Sequence, residues 1–117
     1  MARVPDILYI GQPAATDGAL YTVGSGKKAT ITAIHAANTA TTTKYFSLHI
    51  LQQGDSVADD ICIAKTQKLV GTGDSGGGGT WTMEFPIPLN TVGDAISGIQ
   101  ETATAITVII IGFEEAV

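Results

Sequence analysis

The chain has 117 residues and a formal net charge of −5, and its six Lys and Arg residues are scattered rather than clustered. That excludes the basic stripe a phosphate-driven nucleic-acid surface needs, and the length allows one packed domain rather than two. Hydrophobic residues make up 44% and charged residues only 15%, against about 25% charged in an ordinary soluble domain, so much of the surface must be neutral and part of it is expected to lie against other chains.

Thr, Val and Ile together number 37, and such β-branched residues suit pleated, half-buried surfaces. The expectation is an all-β, single-domain antiparallel sandwich of seven to eight short strands, of jelly-roll or immunoglobulin-like type. Residues 1–19 read as an extended N-terminal arm, with the apolar group Ile7-Leu8-Tyr9-Ile10 able to form one short strand; residues 20–117 read as the sandwich domain. Strands are predicted over 20–23 and, after the Gly24-Ser25-Gly26 turn, over 27–38. In the second of these, Ile31 and Ile34 fall on opposite faces, which a β-bulge or burial on both faces would reconcile. Residues 44–51 alternate cleanly, with Phe46, Leu48 and Ile50 on one face and Tyr45, Ser47 and His49 on the other.

Residues 52–60 read as a polar loop and 60–64 as a strand, with 65–70 left between strand and loop. Residues 71–79 form a loop with six glycines in nine positions. The strand over 80–89 carries Trp81, Met83, Phe85, Ile87 and Leu89 on one face, with Pro86 and Pro88 on the other. Two prolines cannot both donate to a ladder, so its second half belongs at a sheet edge or a bend. Short strands over 95–99 and 105–113 complete the set.

Several fragments resemble chemistry and are weighed against that frame. Residues 73–77 read GDSGG, the serine context of chymotrypsin-like proteases, and His35 with Asp55, Asp59 or Asp60 completes a nominal triad. Only 39 residues lie between His35 and Ser75, too few to finish one barrel and begin a second. The four glycines after Ser75 are a poor scaffold for a rigid oxyanion hole. Asp74, Ser75 and Gly76 are therefore read as an exposed loop, and no catalytic residue is assigned. Gly24 to Lys28 lacks the spacing of a phosphate loop and is read as a turn. His35 and His49 have no third ligand nearby in sequence, so no metal or other cofactor is expected. Asp55, Asp59 and Asp60 read as a solvated loop. Cys62 has no partner for an intramolecular disulfide and reads as a small buried hydrophobe. Trp81 could serve as a sugar platform, but its place beside Met83 favours the core. The N-terminal residues lack the apolar stretch of a signal peptide, and no apolar run is long enough to span a bilayer.

The last strand carries the functional argument. Ile106, Val108 and Ile110 face one way and Ile109 and Ile111 the other. A sandwich strand normally turns one face to water. Wetting two or three aliphatic side chains forfeits about 1.5–3 kcal/mol each, comparable in sum with a small domain's net stability. Something is expected to cover that second face, and Ile7, Leu8, Tyr9 and Ile10 are the candidates, in cis or from a neighbouring copy.

The order of elements adds a resemblance. Leu20-Tyr21-Thr22-Val23, a Gly/Lys turn, and the run from Ala29 through Ile34 to Ala37-Asn38-Thr39 resemble the opening of small β-sandwich virion proteins of tailed bacteriophages. Gly93-Asp94-Ala95-Ile96-Ser97 and the closing Gly112-Phe113-Glu114-Glu115 resemble the end of that family. The likeness spans roughly residues 20–115 and departs from the family at Gly24 and in the 71–79 loop. It implies a non-enzymatic structural part of a phage particle: a capsid decoration or cement protein first, a neck, tail or baseplate piece second. A jelly-roll carbohydrate-binding module is the reading from another class. The expected partners are further copies of the chain, a trimer being favoured, and other virion proteins such as the major capsid protein. The expected location is the virion, assembled in the host cytoplasm, with no direct contact to nucleic acid or membrane.

Overall fold

The structure is a computed structural model that describes residues 6–16, 18–52, 62–73, 79–84, 86–101 and 105–116. The described residues form nine strands and no helix: β1 (Asp6–Gly11), β2 (Gly18–Thr22), β3 (Lys27–Asn38), β4 (Lys44–Leu51), β5 (Cys62–Leu69), β6 (Thr80–Met83), β7 (Ile87–Leu89), β8 (Ala95–Gln100) and β9 (Ile106–Ala116). With no helix present, none among the described residues is long and apolar enough to cross a membrane. One sheet has the order β1-β9-β3-β6, with β7 also paired to β3; the other has the order β2-β8-β4-β5, and all pairs are antiparallel.

The pairing is nested. First pairs with last, second with next to last, and β4 with its successor β5, while β6 and β7 share one flank of β3. This winding, split between two facing sheets, is that of a jelly roll. Nine strands appear where seven to eight were expected because the strand predicted over 80–89 is interrupted: β6 and β7 occupy successive stretches of the same edge, with Pro86 in the break. Pro86 and Pro88 are exposed on that edge, where a missing N–H costs no ladder bond.

The core lies between the sheets. Ile31, Ile34, Ile106, Val108 and Ile110 come from one side, and Phe46, Leu48 and Ile96 from the other, all essentially without solvent contact. The phase slip in β3 is a bulge, since the register with β9 shifts between Ile31 and Ala33. Gly112 of β9 lies against that bulge, and a Cβ there would strike the Thr30 carbonyl oxygen. The glycine and the bulge are thus one device that lets two long strands stay paired while changing face. Gly93, at φ 96°, closes the turn before β8, and its N–H bonds the Val23 carbonyl at 3.1 Å.

Two buried amides tie down places where the chain leaves the sheets. Asn38 ends β3; its Nδ2 donates to the Leu69 carbonyl at 2.9 Å and to Thr42 at 3.0 Å, and its Oδ1 accepts the Ala40 N–H. Gln100 ends β8; its Nε2 donates to the Pro13 carbonyl at 2.7 Å and to Ile106 at 3.1 Å, and its Oε1 accepts the Ile106 N–H at 2.7 Å. At one margin of the sandwich, Tyr21 of β2 donates its hydroxyl to Glu114 Oε2 of β9 at 2.6 Å. The Glu114 carboxylate also stands 3.8 Å from the Lys27 ammonium, a surface pair of little weight by itself.

Truncating Gln100 to Ala leaves buried groups of Pro13 and Ile106 unpaired, at about 1–3 kcal/mol each. Gln100→Ala is expected to lower the unfolding free energy by about 3 kcal/mol or more, read as a lower urea midpoint at unchanged slope. Partial burial, with the Glu114 hydrogen bond and negative charge added, raises the Tyr21 phenol above its usual value. A raised acid contributes its stability in full below the unfolded value of about 10 and loses it as pH rises toward the folded value. Tyr21→Phe is therefore expected to flatten the alkaline fall in urea midpoint above about pH 10 relative to the parent chain.

Candidate functional site

β9 runs between β1 and β3, so both of its edges are hydrogen-bonded. Its side chains alternate strictly: Ile106, Val108 and Ile110 are buried inward, and Thr107, Ile109, Ile111 and Phe113 are half-buried on the outer face. Residues directly opposite in an antiparallel ladder share a face, so the register sets out the rest of that face in rows. Ile7, Ile111 and Ala33 form one row. Ile10, Ile109, His35 and Thr82 form the next. Phe113, Thr30 and Pro88 lie on one side of these two rows, and Thr107, Ala37 and Thr80 on the other. The pair Lys28 and Glu115 follows the Phe113 row.

The N-terminal apolar group is divided by this geometry. A register shift between Ile7 and Tyr9 lets Leu8 and Tyr9 pack against the core, while Ile7 and Ile10 stay 55% and 61% exposed beside Ile111 and Ile109. The segment expected to lie over the second face of β9 instead extends its sheet sideways as β1. Ile109 and Ile111 are flanked, not covered, and among the described residues no third layer lies over them. The outer face of the β1-β9-β3 sheet is thus an apolar surface over which the described residues place no further layer.

The other sequence candidates fall elsewhere. His35 is half-buried on this same outer face, with Nδ1 2.8 Å from Thr82 Oγ1. Ser75, Asp74 and Gly76, like Asp55, Asp59 and Asp60, lie outside the described residues. His49 is on β4 in the opposite sheet, so the two histidines do not meet. Among the described residues no group of three or more His, Cys, Asp or Glu side chains could hold a metal ion. Trp81 turns inward and meets Phe46 edge-on across the sandwich, ring centroids 5.6 Å apart at 70°, which is its core reading rather than a sugar platform. The Gly24 to Lys28 stretch is a turn, closed by the Lys27 N–H on the Gly24 carbonyl at 3.3 Å.

Two features carry no clear sequence signal. On the second sheet, Tyr45, Ser47, Thr66, Ile99 and Glu101 line a shallow groove of about 220 Å³. Its carboxylate is already engaged, Glu101 Oε1 accepting the Tyr45 N–H at 3.1 Å. Thr66 has φ 49° where β5 bulges against β4, and its N–H is taken by Ser47 Oγ at 2.8 Å. The second feature is His49, opposite Ser97 and Cys62 in the ladder; it is buried although it alternates with the inward Leu48, and among the described residues its Nδ1 has no hydrogen-bond partner.

No protein-family model matches the chain, and no curated protein is detectably similar to it in sequence. Fold and site together define a jelly-roll sandwich with one apolar sheet face open to a partner.

A buried polar atom without a partner costs about 1–3 kcal/mol, and replacing it with an apolar group of similar shape is neutral or better. His49→Leu is expected to keep or raise the thermal midpoint, by up to about 4 °C for each kcal/mol regained. Differential scanning calorimetry of both proteins checks it.

Proposed function

We propose that this protein is a non-enzymatic structural component of a bacteriophage particle, acting first as a capsid decoration or cement protein. The observation that carries the reading is the open outer face built from Ile7, Ile10, Ile109, Ile111 and Phe113. An apolar face across three adjacent strands marks a contact surface in a chain that otherwise carries few charges. A β-prone, uncharged stretch such as residues 106–113 invites aggregation if it meets only water, and a permanent neighbour removes that hazard. The jelly-roll winding is in keeping with the role, since viral capsid domains use it, but lectin domains do as well. The sequence resemblance named above supplies the choice of a phage particle. The acidic balance suits an outer position better than contact with packaged DNA. A neck, tail or baseplate position is the alternative within the same class. The carbohydrate-binding reading rested on Trp81, whose ring is engaged with Phe46, and on the acidic loop of Asp55, Asp59 and Asp60, which lies outside the described residues.

Purified particles of the phage that encodes the chain provide the test. On the order of hundreds of copies per particle, located on the shell by imaging, is the expected result for a decoration protein that repeats with capsid symmetry. Tens or fewer would move the protein to the neck, tail or baseplate. Absence from particles would overturn the structural reading.

A further inference from the structure

The outer face is self-complementary, and from this we infer that its partner is a second copy of the same chain, packed face to face about a two-fold axis that runs along the strands between β3 and β9. The inference deepens the assembly reading above and rests on the same face.

Three observations carry it. The first is size. β3 is 12 residues long and β9 is 11; at about 3.4 Å per residue and about 4.8 Å between strands, a face four strands wide covers on the order of 700 Å². A stable interface takes about 600–1,000 Å² from each partner, so the whole face falls inside that range and a fragment of it does not.

The second is shape. On β9 the outward side chains are bulky at Ile109, Ile111 and Phe113, whereas β3 sets Ala33 and Thr30 opposite the last two. An axis between these strands lays β9 of one copy over β3 of the other. Ile111 then meets the small Ala33, and Phe113 meets Thr30, the interdigitation by which facing sheets pack.

The third is charge. On the central two rows β1, β9 and β3 carry no carboxylate or ammonium group; the charges on this face sit at its end, in the ladder pair Lys28 and Glu115, and Glu84 borders it at the β6–β7 break. An apolar centre with a polar rim is the anatomy of a protein interface. The same axis that lays Ile111 over Ala33 also lays Lys28 of each copy over Glu115 of the other. A ring of three would need two different patches that fit each other, whereas one patch that fits itself gives a closed two-fold pair.

The test uses the full chain in sedimentation equilibrium from about 1 to about 100 μM. The expected species is a dimer of twice the 12.0 kDa chain mass. Ile10→Lys, at a position already 61% exposed, is expected to weaken dimerisation at least about tenfold while keeping the circular dichroism and thermal midpoint of the parent. Lys28→Glu and Glu115→Lys each place like charges across the axis and should each be monomeric at concentrations where the parent is dimeric. Mixed in equal amounts, they pair opposite charges at both contacts and should recover the dimer. A monomeric parent chain at the highest concentration overturns the inference, as does a larger oligomer or an Ile10→Lys protein that dimerises unchanged. A mixture of the two charge variants that stays monomeric overturns the axis proposed. The particle assay separates this inference from the functional reading. A monomer found in virions ends the two-fold pairing and leaves the structural role standing, and a dimer absent from virions does the reverse.

Discussion

The ladder between β3 and β9 is the constraint on which the molecule depends. It runs from Lys27 opposite Ala116 to Asn38 opposite Ile106, broken only by the shift between Ile31 and Ala33. β3 holds β6 and β7 on its other flank, and β9 holds β1. Without that ladder the sheet falls into two halves, β1 with β9 and β3 with β6 and β7. The inner side chains of these two strands also supply much of the core, so hydrogen bonding and burial are lost together if the register slips. The bulge and Gly112 fix the register from the backbone side, because only the correct alignment puts the residue without a Cβ against the Thr30 carbonyl.

The two outer faces of the sandwich differ. On the β2-β8-β4-β5 sheet, Ser97 and His49 occupy outward positions and yet are buried. On the β1-β9-β3 sheet, the central outward residues Ile7, Ile10, Ala33, Ile109 and Ile111 are apolar and partly open. The edges differ as well. β5 carries Lys65 and Lys68 and a bulge with Thr66 in a left-handed conformation, and the β6–β7 edge carries Pro86 and Pro88. Both are devices that discourage another strand from adding to a sheet. The protein thus guards against edge pairing on one side of the sandwich while leaving a broad face available, which favours contacts of side chains over contacts of backbone.

Much of the architecture was legible because β-structure writes itself in alternation. The bounds of β3 and β4 follow directly from their patterns, and the conflict between Ile31 and Ile34 announced the bulge. The pair of prolines announced an edge, though not that the strand would be cut in two, since the break depends on how β3 bends past it. What could not be read is what depends on meetings across the chain. β5 is one strand, not a strand and an ambiguous tail, because β4 offers a partner along its length and the bulge at Thr66 absorbs the mismatch in pattern. The roles of Asn38, Gln100 and the Tyr21–Glu114 contact require knowing which carbonyls lie overhead. For the candidate site, the two-sided apolarity of β9 pointed to the outer face described above. It did not say that β1 would join at the edge, because Ile7 to Ile10 is apolar on both sides and only the register shift decides which pair turns out.

The nested pairing has a consequence for biosynthesis. β1 is made early, yet among the described residues it pairs with β9 alone, and β3 likewise waits for β6, β7 and β9. During translation β1 and one flank of β3 stay unpaired until β9 leaves the ribosome. Closure then joins segments about a hundred residues apart, a topology that folds slowly and exposes sticky intermediates. Abundant synthesis of such a chain places a load on cellular chaperones that a helical bundle of equal length would not.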